Sequence, residues 1–269
     1  MVERGETRQE KLRLGGMALG NGLLVHGPTQ WAAAVRRTDG TIGVASGPKR
    51  RVRGRVERVP GVRGIVRLGE AMAVIPLVKR ALPEARLPFE DAKVVAATAA
   101  ASVAGAALRK RAGGALAGEA AVAALSVLPA LVALRGGQVA AYHGVEHKAI
   151  GAYEEGDADA RDATKEHDRC GSHLMVPLLA ANLAGMTILR RALERPSKLA
   201  DVAVSAASVG AAVEVFAWSE RHADSAAARV LRRPGHELQR AVGTREPSEE
   251  QLDVGRAALA EILRAEGRA

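Results

Sequence analysis

Four stretches of this chain are almost free of charge, and their spacing sets the first expectation about the fold. Residues 94–108 carry no charge and end on Arg109, Lys110 and Arg111. Residues 114–134 are interrupted only by Glu119. Residues 172–189 end on Arg190 and Arg191, and residues 199–218 carry only Asp201 near their start and Glu214 near their end. At 1.5 Å per residue, a helix over 114–134 is about 31 Å long, the thickness of a bilayer core, whereas 94–108 reaches only about 23 Å without its flanks. All four are rich in alanine, which also suits a soluble bundle, but the lengths favour membrane crossings. The pattern predicts two apolar helical hairpins, 93–134 and 172–218.

Elsewhere the periodicity is local. Residues 31–37 and 42–46 flank Thr38, Asp39, Gly40 and Thr41, and an Asp-Gly pair predicts a tight β-hairpin. The glycines at 15, 16, 20 and 22 read as turns, because no Gly-Lys-Ser/Thr follows to make a phosphate loop. Ile65, Leu68, Met72, Ile75 and Val78 recur at helical spacing and predict one amphipathic helix, lying in the membrane interface or on a soluble core. Ser248 with Gln251 forms a capping box that opens a C-terminal helix carrying Leu252, Leu259, Ile262 and Leu263, in a tail that reads as structural. The expected class is mainly α. It comprises a basic, hairpin-containing region 1–60, the amphipathic helix 61–92, the hairpin 93–134, a polar segment 135–171, the second hairpin 172–218 and a helical tail 219–269.

Composition narrows the function. Hydrophobic residues make up 48% of the 269, yet only 2 Trp, 2 Tyr and 2 Phe are aromatic, too few for a base-stacking platform, so nucleic-acid binding is not expected. The single cysteine, Cys170, excludes an internal disulfide framework. The net charge of +9 is unevenly placed: residues 1–92 carry 17 Lys/Arg against 9 Asp/Glu, while residues 135–170 carry 5 against 8. A basic front suits the anionic surface of a lipid bilayer. No signal peptide is evident in residues 1–30, so the front is expected in the cytoplasm, giving a multi-pass cell-membrane protein. The basic connectors 109–113 and 190–198 run against that orientation under the positive-inside rule.

The chemistry concentrates in Tyr142-His143-Gly144-Val145-Glu146-His147-Lys148. Two histidines four residues apart share one helix face, close enough for one metal ion. The order His-x-x-Glu-His is that of the inverted zinc-protease motif, in which the Glu serves as general base. Glu154 lies seven residues beyond His147, on the same face if the helix continues through Gly151. His167 and Cys170 follow at ligand-like spacing, with His173 close behind. The expected centre is a divalent metal, zinc by its donors, on His143 and His147, completed from Glu154, His167, Cys170 or Glu214, with Glu146 as the base.

These residues resemble a family. The run YHGVEHKAIGAYEEG followed by HDRCGS resembles the YqhQ-like bacterial membrane proteins of unknown function, described as predicted metal-dependent enzymes. GGMALGNGLLVHGP, ERVPGVRGIVRLGEA and PGHELQRAVGTREPSEEQLDVGRAAL resemble that family's glycine-rich front, amphipathic helix and C-terminal signature, so the likeness covers most of the chain. It implies a polar cluster of His143, Glu146, His147, Glu154, His167, Arg169 and Cys170, with Glu214 as a carboxylate in the last apolar segment. The family usually places Gln, Glu and Arg where this chain has Met17, Asn21 and His26, which raises whether a charged group is missing from the site. Two functions follow as expectations: a membrane-associated metal-dependent hydrolase working at the cytoplasmic face, or an interaction and scaffold protein with a structural metal site.

Overall fold

The computed structural model describes residues 11–52, 54–112, 115–156, 159–193 and 196–268. Gly113 and Gly114, at the first connector, and Arg195, in the second, lie outside the described residues. The front is an antiparallel meander of four strands, β1 (Gly15–Ala18), β2 (Gly22–His26), β3 (Gln30–Arg36) and β4 (Ile42–Pro48), paired in chain order. The expected hairpin is β3–β4, closing with Arg36 opposite Ile42. Gly40 takes φ 86°, and Asp39 accepts the Thr41 N–H at 2.9 Å. The expectation of turns alone around Gly15 to Gly22 is corrected, since β1 and β2 occupy this stretch. Both faces of the sheet are covered, so Leu23, Leu24 and Val25 form a continuous apolar run without the alternation that marks a half-buried strand.

The amphipathic segment is two helices rather than one: α1 (Val62–Met72) and α2 (Ile75–Ala81). Pro76 stands in the first turn of α2, where it has no N–H to donate back to Met72, so the first helix cannot continue through it. Their surroundings differ. Ile75 and Val78 are buried with Leu24, Trp31, Ala33 and Val35 on one face of the sheet, whereas Val62, Ile65, Leu68 and Met72 of α1 are exposed.

The four apolar stretches are helices of membrane-crossing length: α3 (Ala92–Ala112); α4 (Leu116–Ser126) with α5 (Leu128–Arg135), interrupted around Pro129; then, after α6 (Gln138–Glu155), α7 (Met175–Ala192), entered by a 3₁₀ turn at Gly171–Leu174; and α8 (Lys198–Arg221). The chain ends in α9 (Ala226–Leu238), a π-turn at Gln239–Gly243, and α10 (Glu249–Ala265), opened by the expected Ser248–Gln251 box. α6 and α10 cover the other face of the sheet, with Tyr142, Val145 and Ile150 packed against Val25, Val254 and Ile262. At one end of the bundle, where α5 and α8 end and α7 begins, lie α6, α9 and the sheet. At the other end Glu119 pairs with Arg109 at 3.2 Å and Arg190 at 3.7 Å, and Arg190 pairs with Asp201 at 2.8 Å.

Candidate metal centre

α6 runs unbroken through Gly151 and carries His143, Glu146 and His147. Position 144 admits only glycine, because a Cβ there would meet the carbonyl oxygen of Arg245. The chain beyond the π-turn therefore lies directly on α6, with the Arg245 N–H donating to Ala140 O at 2.9 Å. This approach brings Gly243 to His143, whose Nδ1–H donates to the Gly243 carbonyl at 2.8 Å. His147 is fixed from another segment, its Nδ1–H donating to Lys165 O at 2.6 Å. The buried Lys148 holds that segment in place by donating to Arg161 O at 3.0 Å and Ala163 O at 2.8 Å. With Nδ1 as donor in each ring, Nε2 is the atom that carries the lone pair whenever the ring is neutral.

Cys170 approaches from the 3₁₀ turn, its Sγ 3.3 Å from His143 Nε2 and accepting the Ser172 N–H at 3.4 Å. One donor atom from each of His143, His147 and Cys170 lies within 4.8 Å of the others, and the two imidazole centroids are 4.3 Å apart. His147 Nε2 is buried with no hydrogen-bond partner. Buried polar atoms are nearly always partnered, so this lone pair beside a second imidazole and a thiol fits a divalent cation. Two nitrogens and a sulfur are a zinc-type donor set, and imidazoles anchored through Nδ1 to carbonyls are the usual way such ligands are oriented.

The electrostatics separate the three α6 groups. Burial opposes charge on His143, but Cys170, Glu146 and the Gly243 carbonyl outweigh it and hold its pKa up at about 9, so its Nε2 carries a proton at physiological pH that metal binding would release. Burial, reinforced by the neighbouring His143, pushes His147 down to about 3, so its ring is neutral at physiological pH, the form a metal requires. Burial also raises Glu146 above the ordinary carboxylate range, against the pull of His143 and His167. Among the described residues the Glu146 carboxylate makes no hydrogen bond. β1 passes over it so closely that a Cβ on Gly16 would come within 2.9 Å of the carboxyl carbon.

The remaining expected site residues separate from this trio. His167 stacks 5.6 Å from His147, but both its nitrogens are engaged. Nδ1 accepts the Arg169 N–H at 3.2 Å, and Nε2 donates to Glu154 Oε2 at 3.1 Å. The other oxygen of Glu154 pairs with the Arg169 guanidinium. His167, Glu154 and Arg169 thus satisfy one another beside the centre rather than completing it. Glu214, expected to reach the histidines, does not: it accepts the Gly61 N–H at 2.8 Å and pairs with Arg63 on α1. Two of the three departures at the front, Met17 and Asn21, also fall away from the centre. Met17 packs on the far face of the sheet, and Asn21 binds Arg36 O, Glu84 O and the Arg86 N–H.

The residue that sequence reasoning missed is Gln239. It is fully buried and joins three parts of the site. Its Oε1 accepts the His167 N–H at 2.8 Å, and its Nε2 donates to His167 O at 3.2 Å and Ser172 Oγ at 2.7 Å. Gln239 and Gly243 begin and end the π-turn, a distortion that concentrates at functional sites. The signal lies in the run PGHELQRAVGTREP, part of the stretch that resembles the family's C-terminal signature.

Residues 115–265 match a family described as protein of unknown function, DUF1385, and the chain belongs to that family. No curated protein and no solved structure matches the chain. The matched span contains the three donors, Glu146, Gln239 and Gly243, and excludes Gly16, the sheet and α1.

Proposed function

For this member of the DUF1385 family we propose a membrane-embedded, metal-dependent hydrolase of the YqhQ-like bacterial group, working at the cytoplasmic end of its helical bundle. The observation that carries the reading is the buried, unpartnered His147 Nε2 facing His143 and Cys170. His143, His147 and Cys170 hold the ion, zinc by its donors. When bound, the ion supplies Lewis acidity toward a carbonyl or phosphoryl oxygen. Glu146 lies one residue before a ligand, in a pocket that raises its proton affinity, and it takes a proton from the attacking water and returns it to the leaving group. Gly16 lets β1 pass directly over that carboxylate, which keeps it buried. The N-terminus is assigned to the cytoplasm, on the side where the basic front, α6 and α9 gather.

A second reading has an observation of its own. Cys170 also caps the 3₁₀ turn at Gly171–Leu174, so an ion there would clip this turn to α6 in a scaffold protein. The two readings separate in lipid nanodiscs, with wild type and Glu146→Gln compared on a panel of amide, ester and phosphoester amphiphiles at matched metal content. Hydrolysis by wild type that falls at least ~100-fold in Glu146→Gln supports the enzyme. Equal rates in the two proteins, or no turnover on the panel, favour the structural clip.

A further inference from the structure

The basic side chains gathered between the sheet, α1 and the end of α8 take no part in the centre described above. Two contiguous hollows of about 580 and 370 Å³ share Arg13, Arg67, Arg169, Phe216 and Glu220. Lys49 and Arg51, from the segment after β4, line the smaller one. Some of these cations already have partners: Arg13 grips Glu220 at 2.6 and 2.7 Å, and Arg169 pairs with Glu154. Lys49, Arg51 and Arg67 have no carboxylate within ion-pair distance among the described residues. Glu70 lines the same hollow, but its Oε1 accepts the Val52 N–H at 2.5 Å. The side chain of Lys49 meets a ring nitrogen, His26 Nδ1, at 3.4 Å. Burial holds Lys49 below the usual lysine range, and Arg51 and Arg67 add to this against the pull of Glu70. Converging cations that outnumber the carboxylates lining the same recess are relieved by a multiply charged anion that several of them bind together.

The position of the hollow indicates where such an anion comes from. Phe216 and Glu220 lie in the last two turns of α8, level with Trp218, the aromatic side chain that marks a membrane boundary. α1 runs alongside this end in the same direction as α8. Gly61 packs on Gly210 and Gly64 on Val213, where a Cβ would come within 2.5 Å of the valine. Its other side presents Val62, Ile65, Leu68 and Met72 as one exposed apolar strip. A cationic recess at the water boundary, adjoining an apolar strip that faces outward, has the two parts that recognise an amphiphile. We propose that this recess binds the phosphate headgroup of an anionic membrane lipid, with the acyl chains along the exposed face of α1. Binding does not require the metal centre, and Arg169, although next to Cys170 in the chain, lies beside that centre without completing it.

The test uses the full chain, stripped of metal with a chelator and held in nanodiscs, so that failure of the metal reading leaves it intact. Phosphatidic acid is titrated against phosphatidylcholine and against inorganic phosphate. The expected result is a preference for phosphatidic acid over phosphatidylcholine of at least ~10-fold, lost in Lys49→Gln/Arg67→Gln and retained in the charge-matched Arg233→Gln/Arg240→Gln. Equal loss in both double variants, equal binding of the two lipids, or inorganic phosphate competing as well as the lipid overturns the proposal. Should the first variant fail to fold, a photoreactive phosphatidic acid on the wild type replaces it. Crosslinks within 49–72 and 213–221 support the site, and crosslinks confined to other segments overturn it.

Discussion

The two ends of the helical bundle both gather polar side chains at low exposure, yet they are built on opposite plans. At the end away from the sheet, Glu119 is 4% exposed and sits between Arg109 and Arg190, while Arg190 also holds Asp201. One residue comes from each of α3, α4, α7 and α8, each charge meets an opposite one, and the network joins the four helices. At the other end, His143 and His147 have one nitrogen each tied to a backbone carbonyl, and the remaining donors converge with Cys170. Burial alone therefore does not separate structure from chemistry. The pairing of charges does: a network in which every charge meets an opposite one holds the fold together, even with Arg190 Nε left without a hydrogen bond, whereas an imidazole lone pair facing a second imidazole and a thiol is arranged for something else.

The sharpest way to break this comparison is to remove a donor. His147→Ala and Cys170→Ser should each drop the purified protein from about one divalent ion per chain to below about 0.1, measured by elemental mass spectrometry, with helical content unchanged. At the opposite end, Glu119→Gln leaves Arg109 without its buried partner. It should cost about 3 kcal/mol of stability, read as a lower unfolding midpoint in detergent, while metal content stays at the wild-type level.

A smaller effect is expected at Gln239. Gln239→Leu removes the bonds that position His167 and Ser172 around Cys170, and should weaken metal affinity ~10–100-fold in a chelator competition while the ligands remain. His26 gives a pH test outside the membrane helices. Burial and then Lys49 lower its pKa to about 4, so the folded protein keeps it neutral while the unfolded chain takes up a proton below about 6.5. Its contribution is present above 6.5 and is lost as pH falls toward 4, at up to about 1.4 kcal/mol per pH unit. Melting midpoints of wild type and His26→Gln should therefore converge across that window. The smallest effect belongs to Glu214, which Gly61 and Arg63 hold away from the centre. Glu214→Gln should leave metal affinity within about 2-fold of wild type, a change too small to register as the loss of a ligand-orienting group.

How much of this was legible in the sequence depended on whether the signal was local. The four apolar helices, the Asp39–Gly40 turn, the Ser248 cap and the His-x-x-Glu-His spacing are read along a single segment, and the chain shows them. β1 and β2 were hidden because both faces of the sheet are buried, which erases alternation, and because their glycines read as turns. The break between α1 and α2 needed Pro76 to be weighed against a convincing apolar spacing. At the centre, local spacing placed His143, Glu146 and His147 together, but the third donor was left open among Glu154, His167, Cys170 and Glu214. The choice depends on long-range contacts: Arg169 and His167 occupy Glu154, Arg63 occupies Glu214, and Gln239, 72 residues beyond His167, sets the turn that leaves Cys170 nearest His143.

The central claim is that two imidazoles and one thiolate share a single ion. X-ray absorption of the zinc-loaded chain in detergent tests it directly. The account predicts one sulfur at about 2.3 Å and two imidazole nitrogens at about 2.0–2.1 Å in the coordination shell, with the sulfur contribution lost in Cys170→Ser. A wild-type shell of nitrogen and oxygen alone, with no sulfur, would contradict it.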